Sequence, residues 1–98
     1  MIIISSQIYN FSPFESDIIM CNHLNELIQS MLFQGSYSAM DIARELGKPY
    51  STLMRECNPF DKGAKLGVNT LFRIMIITKD IEPLRFMANS LGYELVKM

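Results

Sequence analysis

The chain has 98 residues, a net charge of −1 at neutral pH, and 49% hydrophobic residues. This length predicts one domain that can bury a core without metals or disulfides, and the hydrophobic content excludes a disordered tail. No stretch reaches the roughly 18 uncharged apolar residues of a membrane span. The first residues also lack the basic charge of a secretory signal. We therefore expect a cytoplasmic protein.

The chain begins with a β-branched and aromatic run, MIIISSQIYNF. This pattern predicts a short strand or extended arm that ends at Ser12-Pro13. A lone strand cannot satisfy its own hydrogen bonds, so such a strand would pair with its copy in another subunit. A disordered start is the alternative. We assign residues 1–15 to the strand or arm and residues 16–98 to a helical domain.

The first helix is expected to be capped by Ser16 or Asp17 and to run to about Gln34. His23, the single histidine, lies on the solvent-facing side of this helix. It has no Cys, Asp or Glu at metal-binding spacing, and we interpret it as a surface residue. Cys21 and Cys57 share no CxxC or Cys/His spacing, which excludes a zinc signature. We expect both cysteines to be small core residues.

Residues 38–57, SAMDIARELGKPYSTLMREC, predict two short helices joined by a tight turn. Ser38 can cap the first helix, whose apolar side is expected to comprise Met40, Ile42, Ala43 and Leu46. Gly47 can take the positive φ of a helix C-terminus, and Pro49 suits the first turn of the next helix. The spacing of Ala43, Gly47 and Leu53 is that of the helix-turn-helix of phage repressors.

Two residues depart from the helix-turn-helix pattern. Lys48 follows the glycine where an aliphatic residue is usual, and Glu56 occupies a position that is often apolar. Cys57, one residue later, can take the buried role. A plain helical hairpin without DNA-binding activity is therefore the alternative interpretation of this segment.

The predicted DNA-binding residues lie on the second helix and on the segments that flank it. Serine and threonine can bond several base edges, and arginine can bond guanine through two hydrogen bonds. Lysines beside such a helix would neutralise phosphates. The predicted base-contacting residues are Tyr50, Ser51, Thr52 and Arg55, and the predicted phosphate-contacting residues are Lys48, Lys62 and Lys65.

The distribution of charge supports this placement modestly. Residues 1–43 carry four acidic residues and no Lys or Arg, whereas residues 44–73 carry six basic and three acidic residues. Residues 74–98 are balanced, with three of each. Positive charge thus begins inside the predicted helix pair and continues into the loop after it, as a phosphate backbone would require. An ordinary solvated surface is the alternative.

Residues 58–67, NPFDKGAKLG, predict a loop that Phe60 and Leu66 pin to the core. Asn69 is expected to cap the next helix. That helix is apolar most of the way round, which indicates burial on more than one side. We predict a subunit interface at one of two places: at Phe72 and Ile76 of this helix, or at the N-terminal strand with Ile2, Ile3, Ile4 and Ile8. Full burial of this helix in the monomer core is the alternative.

The last helix is expected to begin around Asp80 and Pro83 and to end at Gly92. Its apolar residues recur at helical spacing: Leu84, Met87, Ala88 and Leu91. The predicted elements indicate an all-α domain with a short N-terminal strand or arm. The order of its parts resembles the five-helix, lambda-repressor-like DNA-binding domain of phage repressors.

The segment from Ser38 to Leu95 resembles the phage regulatory protein CII family of temperate phages and prophages. The specific pieces are NPFDKGAKLGVNTL, at the junction of loop and helix, and EPLRFMANSLGY near the end. The resemblance implies a transcriptional regulator of phage genes that acts on the lysogeny decision.

We find no catalytic grouping in the sequence. Its carboxylates are scattered, and it has no Ser/His/Asp arrangement and no glycine-rich phosphate loop. We therefore expect a non-enzymatic protein without a cofactor or small-molecule ligand, whose partners are double-stranded DNA and its own copies. The alternative is a helical protein-interaction module that keeps the helix-turn-helix fold without binding DNA. The acidic N-terminal half and the 8 methionines fit that alternative.

Overall fold

The computed structural model describes the backbone of residues 13–98 and the side chains of residues 17–98. The predicted N-terminal strand, with Ile2, Ile3, Ile4 and Ile8, lies outside the described residues. Residues 13–98 form five helices and contain no strand, which confirms the all-α, five-helix prediction. None of the described helices is both long and apolar enough to cross a membrane.

Helix α1 spans Pro13–Gln34 and packs against the second and fifth helices. It begins before the predicted caps at Ser16 and Asp17, because proline is well suited to the first turn, where its missing N–H costs no hydrogen bond. The C-terminal half of α1 supplies its core contacts, with Ile28, Met31 and Leu32 buried. His23 is exposed, as predicted. The prediction for Cys21 was wrong, since its side chain is exposed.

Helices α2 (Ala39–Leu46) and α3 (Tyr50–Glu56) form the predicted pair. The Ser38 hydroxyl accepts a hydrogen bond from the Asp41 N–H at 3.1 Å and so caps α2. Gly47 has φ +70°, a left-handed conformation that lets the Lys48 N–H reach the Ala43 carbonyl at 3.0 Å. Met40 was wrongly placed in the core: it is 60% exposed, and Ala39 is buried instead. Pro49 precedes α3 as its N-cap rather than lying in its first turn.

The centre of the core is where α2, α3 and the fourth helix meet. Ile42, Leu53 and Ile74 each have 0% of their surface exposed, and Ala43 has 2%. The small Ala43 and the large Leu53 have the burial that the helix-turn-helix spacing predicted. Cys57, just after α3, is also buried, as expected.

Helix α4 spans Val68–Thr78 and packs against α2. It begins directly after Gly67, so the predicted cap at Asn69 was wrong. The Arg73 guanidinium donates hydrogen bonds to the Glu45 and Leu46 carbonyls, each at 3.2 Å. Carbonyls at a helix C-terminus have no partner within the helix, so Arg73 supplies one and joins α4 to the end of α2.

Helix α5 spans Glu82–Ser90 and packs against α1. Asp80 Oδ1 accepts the Glu82 N–H at 3.0 Å, and Pro83 is buried in the first turn. The predicted apolar stripe is only partly correct. Met87 is half-buried, but Leu84 is 43% exposed and Leu91, which lies beyond the helix, is 75% exposed.

The two residues that depart from the helix-turn-helix pattern bind each other. Lys48 Nζ lies 3.0 Å from Glu56 Oε1 and 3.2 Å from Oε2. Their side chains are 25% and 17% exposed, respectively. A half-buried ion pair thus links the turn before α3 to the last residue of α3, where the usual pattern would place an apolar contact.

We predict that the single substitutions Lys48→Met and Glu56→Leu each destabilise the fold by about 1–3 kcal/mol, because each leaves a half-buried charge without its partner. The double variant should recover most of that loss, since two apolar side chains can pack together. Urea unfolding of all four proteins gives the coupling free energy. Glu82 and Arg85 of α5 form a more exposed pair and serve as the control, with an expected coupling below about 1 kcal/mol. Additive single effects at positions 48 and 56 would contradict the prediction.

Candidate nucleic-acid interface

The outer face of α3 presents polar side chains because Leu53 fixes the opposite face in the core. Tyr50 is 43% exposed, Ser51 and Arg55 are also exposed, and Thr52 is half-buried. The four predicted base-contacting residues therefore occupy one short helix of seven residues, in which Leu53 is buried and which the buried Cys57 follows.

Arg55 is held by the loop that follows its helix. Its Nε lies 3.0 Å from Asp61 Oδ2, and its side chain remains 61% exposed. Asp61 Oδ1 also accepts the Gly63 N–H at 2.9 Å. The Arg55 side chain and the Gly63 N–H hold the pKa of Asp61 below its usual range, and Asp61 in turn raises the pKa of Arg55. Both groups are therefore charged at neutral pH.

The loop of residues 58–67 is folded tightly at its start. Asn58 Oδ1 accepts the Phe60 N–H at 2.9 Å, and the Asn58 carbonyl accepts the Asp61 N–H at 3.1 Å. Leu66 packs against the core, as predicted. The prediction for Phe60 was wrong, because its side chain is 84% exposed. The turn around Asn58 aims Phe60 away from the core.

The six basic residues of the segment 44–73 have different environments. Arg44 pairs with Asp41 at 2.7 Å, and Lys48 and Arg55 are paired with Glu56 and Asp61. Arg73 is hydrogen-bonded to backbone carbonyls. Lys62 and Lys65 are exposed and form no ion pair with any residue that the structure describes. The basic side chains without a partner among the described residues are therefore fewer than the six that this segment contains. Both of them, Lys62 and Lys65, lie in the loop of residues 58–67.

A cleft of about 690 Å³ lies between α1, the loop, the start of α4 and Met87 of α5. Its lining is mainly apolar and includes Leu24, Ile28 and Met87, with Lys62 and Lys65 also among the lining residues. Cys57 also lines this cleft, where burial, followed by the nearby Glu56 carboxylate, raises the pKa of its thiol to about 12. The thiol is therefore protonated at neutral pH. Among the described residues, no group of three or more His, Cys, Asp or Glu is placed to hold a metal ion.

Helix α4 exposes an apolar stripe on the side opposite its buried Ile74. Phe72 and Ile76, one helical turn apart, are 59% and 57% exposed, and Val68 at the start of the helix is 83% exposed. The alternative interpretation, full burial of this helix in the monomer core, is therefore wrong for these three residues. The exposed stripe leaves Phe72 and Ile76 available for the subunit contact that the sequence predicted.

Sequence reasoning missed the role of Asp61 and the pairing of Lys48 with Glu56. A signal for Asp61 was present, because aspartate two residues before glycine often accepts a backbone N–H in a turn. Its contact with Arg55 could not be read from spacing, since it depends on the path of the loop.

The model of one protein family, phage regulatory protein CII (CP76), matches residues 22–98. The match confirms the resemblance inferred from residues 38–95 and extends it into α1. No curated protein and no solved structure matches the chain. Because the family match covers well over half of the sequence, the chain belongs to the phage regulatory protein CII family.

Proposed function

We propose that this phage regulatory protein binds double-stranded DNA through α2 and α3, which act as a helix-turn-helix. The observation that carries the proposal is the geometry of the pair. Gly47 makes the turn in a left-handed conformation, and Leu53 is fully buried in the core. This packing leaves Ser51 and Arg55 exposed on the side of α3 that faces away from Leu53, and Tyr50 is exposed at the start of the helix. A recognition helix needs the side that contacts base edges to be exposed and its opposite side to be packed in the core.

In the proposed complex, α3 lies in the major groove and the loop after it follows the phosphate backbone. Arg55 would bond a guanine, while Ser51 and Thr52 contact neighbouring base edges. Lys62 and Lys65 are the strongest candidates for phosphate contacts, because no described acidic side chain neutralises them. Lys48 would contribute less, since Glu56 already accepts its ammonium group.

We infer that the protein acts as a homo-oligomer, because a single short recognition helix gives little specificity. The exposed stripe of Phe72 and Ile76 supports an interface on α4. Pairing of residues 1–11 between two copies is the other proposed interface, with the residues before α1 acting as an arm outside the helical domain. A two-fold dimer would place its half-sites about one helical turn, 34–36 Å, apart.

The second candidate function is a helical protein-interaction module that does not bind DNA. Two observations favour it. Three of the six basic residues in the segment 44–73 are already paired with carboxylates, and the apolar stripe on α4 is open. A gel shift and footprint against DNA that flanks the protein's own gene separates the two candidates. A salt-sensitive complex with a discrete footprint supports DNA binding, and its absence at low salt supports the module.

We predict that Arg55→Ala weakens binding to the footprinted DNA by about 5- to 140-fold and relaxes specificity at one base pair, because a bidentate contact to guanine is lost. Quantitative gel shifts on the footprinted site and on its single-base variants measure both effects. Arg85→Ala on α5 is the matched control and should leave affinity unchanged. If Arg55→Ala keeps the affinity and footprint of the wild type, Arg55 does not read DNA.

We predict that Lys62→Ala and Lys65→Ala each weaken binding to all sequences alike and lower the slope of log affinity against log salt by about 1. Lys48→Ala should change the slope less, since its charge is partly neutralised by Glu56. Titrations at several salt concentrations supply the slopes, with Lys97→Ala as the control. Unchanged slopes for Lys62 and Lys65 would place the DNA on another face.

We predict that Ile76→Glu weakens self-association, because the glutamate would place a charge within the apolar interface. Light scattering on the wild type, on Ile76→Glu and on a variant lacking residues 1–11 compares the two proposed interfaces. Leu91→Glu, at another exposed apolar residue, is the control. If the deletion leaves the oligomer mass unchanged, the N-terminal strand is not the interface. If Ile76→Glu leaves it unchanged, the α4 stripe is not the interface. A monomeric wild type at micromolar concentration contradicts both.

A further inference from the structure

We propose that Asp61 is a positioning residue that holds Arg55 in the conformation with which it reads a base, an inference that rests on the proposed DNA binding. The Asp61 carboxylate bridges a side chain and the backbone. Its Oδ2 lies 3.0 Å from Arg55 Nε, and its Oδ1 accepts the Gly63 N–H at 2.9 Å. The carboxylate is thus anchored to the loop before it contacts the arginine.

The contact restrains the arginine without occupying its reading edge. A guanidinium has five N–H donors, and the two terminal nitrogens are the edge that bonds guanine. Asp61 accepts from Nε, and neither terminal nitrogen of Arg55 has an acceptor among the described residues. The Arg55 side chain stays 61% exposed, whereas that of Asp61 is only 22% exposed. The Asp61 carboxylate is therefore more buried than the Arg55 guanidinium that donates to it.

The guanidinium of Arg55 lies close to the loop backbone at Gly63. A Cβ atom at Gly63 would lie 3.1 Å from Arg55 Nη2, which is tighter than most side-chain contacts. Glycine at this position lets the guanidinium lie close to the loop backbone. A long arginine free in solvent loses rotamer entropy when it binds a base, and a side chain already held in place loses less.

The Asp61 charge has opposite effects on general DNA affinity and on discrimination between bases. A carboxylate close to a duplex repels phosphates, so Asp61→Asn should leave general DNA affinity unchanged or raise it. The same substitution loosens Arg55 and should lower discrimination between bases. A residue that only stabilises the fold would lower both affinities together. Opposite changes in affinity and discrimination therefore mark a positioning role.

The test begins with duplexes randomised over about 30 base pairs, long enough for two half-sites one helical turn apart. The wild-type protein selects an enriched duplex, and Arg55→Ala identifies the base pair at which specificity relaxes. Dissociation constants are then measured for the enriched duplex and for the duplex changed at that base pair. Their ratio is the discrimination. It is compared among the wild type, Asp61→Asn, Arg55→Ala, the double variant and Glu82→Gln, a control that removes the carboxylate from the Arg85 ion pair on α5.

We expect Arg55→Ala to reduce the ratio by about 5- to 140-fold. Asp61→Asn should reduce the same ratio at least a few-fold, at the same base pair. In the double variant it should cause no further reduction beyond that of Arg55→Ala. The affinity of Asp61→Asn for the changed duplex should equal or exceed that of the wild type, and its thermal unfolding midpoint should fall no further than that of Glu82→Gln, which also loses one exposed ion pair. Glu82→Gln should keep the wild-type ratio.

Three outcomes would overturn the proposal. If Asp61→Asn keeps the full ratio, Asp61 does not position Arg55, while DNA binding still stands. If both duplexes lose affinity equally and the unfolding midpoint falls, Asp61 serves the fold alone. If the wild type enriches no duplex, the proposed function fails, and this inference fails with it.

Discussion

The burial of Leu53 in the core that α2 and α4 also help to form is the constraint on which the candidate site depends. Helix α3 has seven residues, too few to be stable alone, so its position comes from packing rather than from helix propensity. Leu53 is fully buried beside Ile42 and Ile74, and the small Ala43 lets the helices approach. This arrangement determines which side of α3 meets solvent. Arg55 is therefore exposed and available to contact a base because Leu53 packs on the other side of the helix.

Several charged residues near α2 and α3 form contacts that stabilise the fold, and these contacts limit their availability to a ligand. Arg73 satisfies two carbonyls at the end of α2, and Lys48 binds Glu56 across α3. Such contacts fix the turn and the ends of short helices, which have few backbone hydrogen bonds of their own. They also reduce the charge available to phosphates, which leaves Lys62 and Lys65 as the main exposed cations of this region. The same ion pairs thus narrow the surface on which DNA could lie.

Local signals in the sequence predicted the helices and the turn well. Ser38 as a cap, Gly47 at positive φ, and the buried Ala43 and Leu53 are short-range features with a direct physical cause. Features that depend on distant contacts were less predictable. Phe60 is exposed because the turn around Asn58 points it outward, and Leu84 and Leu91 are exposed because α5 packs through other residues. For the candidate site, sequence located the exposed residues of α3. The ion pairs of Lys48 and Arg55 required the tertiary structure, because their partners lie eight and six residues away.

The central claim is that α3 and the loop after it form the DNA-binding surface. The most direct test is an amide-resolved NMR titration of the full chain with a non-specific duplex at low salt, because phosphate contacts alone suffice for such binding. We predict that shift changes concentrate at residues 48–65, spare α5, and vanish as salt is raised. Changes confined to α5 and the C-terminal residues, or no changes at low salt, would contradict the account.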